Sequence, residues 1–268
     1  MKITVCARTD VGRKRAENQD HFLVDEEHDL FVVADGVGGY AGGEVASELA
    51  VTTIEEVLAR VAASAANDAE DLVRAEQSLA LALRVASARI HARAGGEPSL
   101  SNMATTAVAM RFLHDHVVLA NVGDSRGYRI RDGVITQLTR DHSLVAEQLR
   151  AGVISAEQAR THRMRNLILR SLGTEADVIV DTFVFPVREG DYLLLCSDGL
   201  SGMVEDLEIR GIVEGSLTVE AAAERLVERA NDHGGDDNVT VVLARVDALD
   251  RDEDEKTDTS EIPTPTPA

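Results

Sequence analysis

Four aspartates stand where an apolar run stops or starts, each beside glycine or asparagine. Asp35 follows Phe31-Val32-Val33-Ala34 and opens Gly36-Val37-Gly38-Gly39. Asp124 follows Val117-Val118-Leu119-Ala120-Asn121-Val122-Gly123. Asp198 follows Leu193-Leu194-Leu195-Cys196-Ser197 and precedes Gly199, and Asp237 precedes Asn238-Val239-Thr240-Val241-Val242. Singly, each reads as a turn, because Asp and Gly are common turn residues; Asp132-Gly133 reads as only that. Together they offer chemistry. Strand ends meeting at one edge of a sandwich would crowd carboxylates that repel one another. A hard divalent cation relieves that repulsion, and Asp with backbone carbonyls suits Mg²⁺ or Mn²⁺. No Cys or His cluster of the kind zinc prefers occurs in the sequence.

The segment Asp35-Gly36-Val37-Gly38-Gly39-Tyr40-Ala41-Gly42-Gly43-Glu44 leads from an apolar run into a helical pattern. Its glycines permit close backbone approach to a ligand. No Lys-Ser or Lys-Thr follows, so it is not a P-loop. A metal-binding turn with a backbone carbonyl ligand fits it better.

Positioning these residues requires strands and helices in a mixed order. Residues 2–8 and 21–34 read as strands, the second closing on the continuous apolar run 30–34. From about 41 to 94 the period becomes helical. Val45, Leu49, Thr53, Val57 and Val61 recur every four residues; after Asn67-Asp68, Leu72, Leu79, Leu83, Ala86 and Ile90 follow, until Gly95-Gly96-Glu97-Pro98 stops the second helix. Strands are expected at about 103–113, 116–122, 125–131, 134–138, 179–185, 191–197 and 238–246, with a hairpin turn at Asp132-Gly133. Helices are expected at about 205–214 and 218–232. Residues 143–170 are helical and charged and read as an excursion from the main sheet. This order is α+β: antiparallel sheets carrying helices on their outer faces. Residues 1–247 read as one domain. The acidic run from Asp250 and the Thr-Pro repeats make 248–268 a disordered tail.

The 268 residues carry a formal net charge of −20 and 3% aromatics with no Trp. Such a surface repels nucleic-acid backbones and anionic lipid, and lacks a base-stacking platform. No run reaches the roughly 20 apolar residues of a membrane span. Cys6 and Cys196 sit inside apolar runs and read as buried structural thiols. The expectations are a cytoplasmic monomer with no nucleic-acid and no membrane partner.

Arg15-Ala16-Glu17-Asn18-Gln19-Asp20, Ala34-Asp35-Gly36-Val37-Gly38-Gly39, Met103-Ala104-Thr105-Thr106, Gly123-Asp124-Ser125-Arg126, Ser197-Asp198-Gly199-Leu200 and Asp236-Asp237-Asn238-Val239-Thr240 occur in that order. The ordered set resembles the metal-dependent protein phosphatase family, also called the protein phosphatase 2C family, and its bacterial members most closely. The resemblance implies two packed antiparallel sheets flanked by helix pairs, with 143–170 as a flap beside the site. It also implies roles. Asp35 would bridge two Mn²⁺ or Mg²⁺ ions, and the Gly36 carbonyl would bind the second. Asp198 and Asp237 would complete the first metal's shell, Asp20 would act through water, and Asp124 with Asp198 would hold a third, weaker ion. Arg15 would grip the substrate phosphate, as a planar fork of donors suits a phosphoryl group.

The implied reaction is hydrolysis of phosphoserine and phosphothreonine on proteins, opposing a Ser/Thr protein kinase. A hydroxide shared by the two metals would attack phosphorus in line, with no phosphoenzyme. Two departures from the family pattern stand out. Val37 occupies the position where many eukaryotic members have a histidine proposed as general acid, and Gln19 replaces a glutamate typical of some members. His142 and His162 are the histidines considered for proton donation; a lone His is more often structural.

Overall fold

The computed structural model describes residues 1–37, 42–64 and 71–249. The elements are β1 (Lys2–Asp10), β2 (Asp20–Asp25), β3 (Leu30–Val37), α1 (Gly42–Ser64), α2 (Leu72–Gly96), β4 (Ala104–Thr105), β5 (Ala107–Leu113), β6 (His116–Val122), β7 (Arg126–Arg131), β8 (Val134–Gln137), α3 (Leu144–Arg150), α4 (Ala156–Arg160), β9 (Asp181–Pro186), β10 (Tyr192–Cys196), α5 (Asp198–Ser201), α6 (Asp206–Glu214), α7 (Val219–Asp232) and β11 (Val239–Ala248).

Strand alternation builds the layers. In β3, Leu30, Val32 and Ala34 pack on α1 and α2, whereas Phe31 and Val33 pack against the other sheet. In β10, Leu194 and Cys196 face α6 and α7, and Leu193 and Leu195 face inward. A strand buried on both faces needs an unbroken apolar run, which is why these segments lack polar residues. The result is one sheet ordered β1-β11-β10-β7-β8 and another ordered β2-β3-β5-β6-β9, with β4 beside β3. All pairings between these strands are antiparallel. The helix pairs α1/α2 and α6/α7 cover the outer faces. The fold is α+β, two antiparallel sheets between helices, as expected from the order of elements.

Details differ from the sequence reading. The stretch 21–34 is two strands, because Asp25 Oδ1 accepts from the N–H groups of Glu27 and His28 and Asp29 takes φ 50°. The stretch 103–113 breaks at Thr106, whose Oγ1 turns to the Asp35 N–H and to Ser125 Oγ. Between 143 and 170 only α3 and α4 are helical, and neither buries a residue. The hairpin at Asp132-Gly133 forms as expected, with positive φ at both residues. Both cysteines are buried and unpaired. Of the expected tail 248–268, Ala248 instead ends β11, paired with Lys2, and residues from 250 onward lie outside the described residues.

Candidate active site

The face between the sheets changes character at one end. Asp35 continues the row of Phe31 and Val33, and Asp20 on β2 lies directly opposite it in register. Opposite residues in an antiparallel pair share a face, so the pairing itself brings two carboxylates together. The Asp35 backbone is fixed by Thr105 Oγ1 donating to its carbonyl (2.8 Å) and by its N–H donating to Thr106 Oγ1 (3.1 Å). Asp20 is buried, and Ser197 Oγ donates to its Oδ2 at 2.8 Å.

Asp198 opens α5 directly after β10. Its neighbour Gly199 has no room for a side chain: a Cβ would lie 1.9 Å from the Asn238 carbonyl oxygen. That approach locks the β10 end against the start of β11, and so Asp198 against Asp237. The Asp198 and Asp35 carboxyls are near enough to influence each other's protonation. Arg15, exposed at the rim, donates from Nη2 to Asp237 Oδ2 at 2.6 Å. Asn238 holds the loop that carries Arg15. Its Nδ2 donates to the carbonyls of Val11 and Glu17, and its Oδ1 accepts from the Gln19 N–H. The N–H of Gly36 donates to the Gln19 carbonyl.

Electrostatics tie the acids into one group. Burial, then the charges of Asp20, Asp198, Asp124 and Asp237, push Asp35 well above the usual carboxylate range, although part of the residue touches solvent. Burial raises Asp20 to about 7, against hydrogen bonds from Thr240 and Ser197, with Asp198 and Asp237 adding to the rise. Asp124 is raised to about 7 by burial and then by Asp198 and Asp141. Asp198 is raised to about 6 by burial and then by Asp237.

Asp20 Oδ1 and Asp124 Oδ1 are buried oxygens with no hydrogen-bond partner. Orphaned carboxylate oxygens inside an all-acid cluster are the donor set a hard divalent cation takes. Among the described residues, no three acidic, His or Cys side chains are already gathered into a closed metal cluster. Asp237 is paired with Arg15. The residues therefore fit divalent metal in chemistry and in neighbourhood.

Residues 11–244 match the family described as Protein phosphatase 2C. The serine/threonine phosphatase stp of Listeria monocytogenes is 42% identical over 250 residues, covering 92% of this chain and 97% of that protein. The crystal structure of the Mycobacterium tuberculosis serine/threonine phosphatase PstP/Ppp superposes with a TM-score of 0.82 at 37% identity, covering 92% of this chain and 99% of that one. The PstP catalytic domain in complex with two manganese ions gives 0.79 at 37% identity, over 92% and 99% of the two chains. The chain belongs to the protein phosphatase 2C family.

As a phosphatase of this family the chain is a hydrolase, its similar proteins are bacterial, and a structural neighbour carries two manganese ions. On the side of Asp124 and Asp198, this phosphatase has a cavity of about 580 Å³ running past Leu149 to Arg160, Arg165 and Asn166 of the 143–170 segment. Val37 is partly exposed beside the site and has no proton to give. His142 is buried with Nδ1 already accepting a backbone N–H, and His162 Nδ1 accepts from the Met164 N–H.

The residues that steady the acids escaped the sequence reading as individuals. Thr105, Thr106, Ser197 and Asn238 all lie inside the quoted motifs, which was the available signal. Asp141, which holds Arg126 through both carboxylate oxygens, lies outside them.

Proposed function

We propose that this phosphatase removes phosphate from phosphoserine and phosphothreonine of proteins, in a reaction that depends on Mn²⁺ or Mg²⁺. One observation carries the reading: Asp20, Asp35, Asp124, Asp198 and Asp237 come from five separate segments, and each of the first four is pushed up by the charge of at least one other member of the set. Asp35, Asp198, Asp237 and the Gly36 carbonyl are the residues that would hold two ions. Asp20 would act through water, and Asp124 with Asp198 would hold a third. When bound, such ions supply a water of lowered pKa for in-line attack on phosphorus, without a phosphoenzyme, and neutralise charge on the phosphoryl oxygens.

The chain's own residues do the rest. Arg15 reaches the site from the exposed rim on a loop braced by Asn238, so its guanidinium can exchange Asp237 for a substrate phosphate. Ser197, itself held by the Thr240 N–H, keeps Asp20 turned inward. Neither Val37 nor His142 offers a proton to the leaving alkoxide, so metal-bound water or a flap residue would supply it.

The catalytic domain in this reading, expected as 1–247, runs on to the end of β11 at Ala248, with 143–170 as flap and the tail from residue 250 as dispensable. The substrates would be phosphoproteins made by a Ser/Thr protein kinase, and the enzyme a monomer. Two buried, unpaired thiols support a reducing, cytoplasmic setting. Among the described residues no helix is long and apolar enough to cross a membrane. The test is hydrolysis of a phosphothreonine peptide while Mn²⁺ is titrated, with EDTA as control. Turnover that rises with Mn²⁺ and vanishes in EDTA is expected; turnover indifferent to both would end the reading.

A further inference from the structure

Asp124 is presented by a glycine turn that cannot hold itself. Gly123 has φ +111°, and a Cβ there would lie 2.5 Å from Thr106 Cβ. Its buried N–H needs a partner from outside the turn, and the partner is a side chain. The Gly123 N–H donates to His142 Nδ1 at 3.0 Å, while the Gly123 carbonyl accepts from the His142 N–H at 3.0 Å.

On its other side the ring meets charge. His142 Nε2 lies 3.3 Å from Asp181 Oδ2, and Arg170 Nη1 donates to Asp181 Oδ1 at 2.7 Å. Because Nδ1 accepts, the neutral ring carries its one proton on Nε2, aimed at Asp181. Arg170, 3.0 Å from Nε2, is then held by Asp181 and not by the imidazole. An aspartate–histidine pair commonly orients a base toward a hydroxyl. Here the far nitrogen is filled by a backbone amide, and the ring is only 4% exposed, so His142 touches no reacting atom. Its own carbonyl accepts from Leu169 N–H at 2.7 Å, and the next residue, Ser143, bridges to Ile168. The two ends of the 143–170 excursion therefore meet at His142.

We propose that His142 is a positioning residue that clamps the Gly123–Asp124 turn to the root of the flap and so holds the Asp124 carboxylate beside Asp198. The proposal rests on the reading of Asp124 as ligand to a third cation. Asparagine and glutamine separate its two contacts. Asn places Oδ1 near the position of Nδ1 and keeps the bond to Gly123; Gln reaches only toward Asp181.

The test uses the full chain and the variants His142→Ala, His142→Asn and His142→Gln. Amide hydrogen exchange over residues 121–125 in metal-free protein is expected to be about 10-fold faster in the Ala and Gln variants, and near native in the Asn variant. In turnover of a phosphothreonine peptide, the midpoint of the weakest Mn²⁺ phase is expected to rise about 10-fold in the Ala and Gln variants. KM for peptide and kcat at saturating Mn²⁺ should hold, and the Asn variant should restore the midpoint. If the Ala variant does not fold, the Asn and Gln pair decides alone. An Asn variant as impaired as Gln would overturn the proposal, as would faster exchange with an unmoved Mn²⁺ midpoint. An unsubstituted chain with no Mn²⁺-dependent turnover would instead sink the functional reading, and the exchange comparison would still judge the clamp.

Discussion

The middle and the end of the face between the two sheets are built from the same strands, and they do opposite things. In the middle, Phe31, Val33, Leu195 and Val242 are shut away from water. Each such side chain stabilises the fold by roughly 1.5–3 kcal/mol through apolar burial. A few residues further on, the same rows end in Asp20, Asp35 and Ser197, with Asp198 beside them. There, burial and crowding drive the carboxylates toward protonation. One region stabilises the protein; the other opposes folding until something positive enters it. A rigid core that over-determines the strand ends is what allows the acidic end to exist.

The largest effect should come from the acid that four others repel. Asp35→Ala is expected to lower Mn²⁺-dependent turnover of a phosphothreonine peptide by roughly 1,000-fold or more. In EDTA the same variant should melt at a higher temperature than the unsubstituted chain, because a crowded charge is gone. A lower EDTA melting temperature would break the contrast between middle and end.

The matching change in the middle is Leu195→Ala. Leu195 is fully buried between the sheets, so truncation should cost about 2–5 kcal/mol of unfolding free energy by urea titration. A loss well under 1 kcal/mol would mean the middle is not the rigid part.

Acid titration sharpens the contrast further. The folded-state pKa values of Asp20 and Asp124 are raised from 3.8 to about 7, and that of Asp198 to about 6. A carboxyl whose folded pKa lies above its unfolded one binds its proton more tightly when folded. Its stabilising share is complete below pH 4 and is lost as pH rises toward 7. The metal-free protein should therefore lose several degrees of melting temperature from this cluster between about pH 4 and 7. Mn²⁺ should restore more at pH 7.5 than at pH 5, since ligands must shed protons to bind it. An EDTA melting curve that climbs steadily across that window in step with an Asp20→Asn, Asp124→Asn double variant would show that the cluster does not act this way.

How much of this was legible beforehand follows from which forces are local. The middle was readable because a strand covered on both faces leaves an unbroken apolar run, as at 30–34 and 193–196. Asp132-Gly133 was readable because a tight hairpin needs positive φ at both residues, which Asp and Gly tolerate. Asp35, Asp124, Asp198 and Asp237 were readable as strand ends, whereas Asp20 came only with the family resemblance, and its register opposite Asp35 is a long-range pairing. What fixes the acids was not readable. Asn238 reaches Glu17, and Ser197 reaches Asp20, across well over a hundred residues of sequence; nothing in local propensity encodes such a bond. Helix α5 was missed because four residues carry no period, and the split at 26–29 because an Asp25 side chain, not a Gly or Pro, makes the turn.

Arg15 stands at the boundary between the two behaviours, exposed yet paired with Asp237. Arg15→Ala should raise KM for a phosphothreonine peptide about 10-fold with a smaller change in kcat, as for the loss of one charge-assisted contact. Arg15→Lys should recover only part of this, since an ammonium cannot present two parallel donors. An unchanged KM in the alanine variant would take Arg15 out of the phosphate site.

The smallest effect should lie at the far end of β11. That strand closes its sheet along β1, with Lys2 opposite Ala248 and Thr4 Oγ1 donating to Asp247 Oδ2 at 2.6 Å. Deleting residues 250–268 removes none of these contacts and none of the acids, so kcat/KM and melting temperature should match the full chain. Deleting from Asp247 instead removes the Thr4 bond and the last pairing, and should cost about 1 kcal/mol of stability while leaving turnover per folded molecule unchanged. Strand ends fixed by the buried middle should not feel the loss of a distant edge. A drop in kcat/KM on removing 250–268 would mean that the acidic end draws on a part of the chain outside the sandwich.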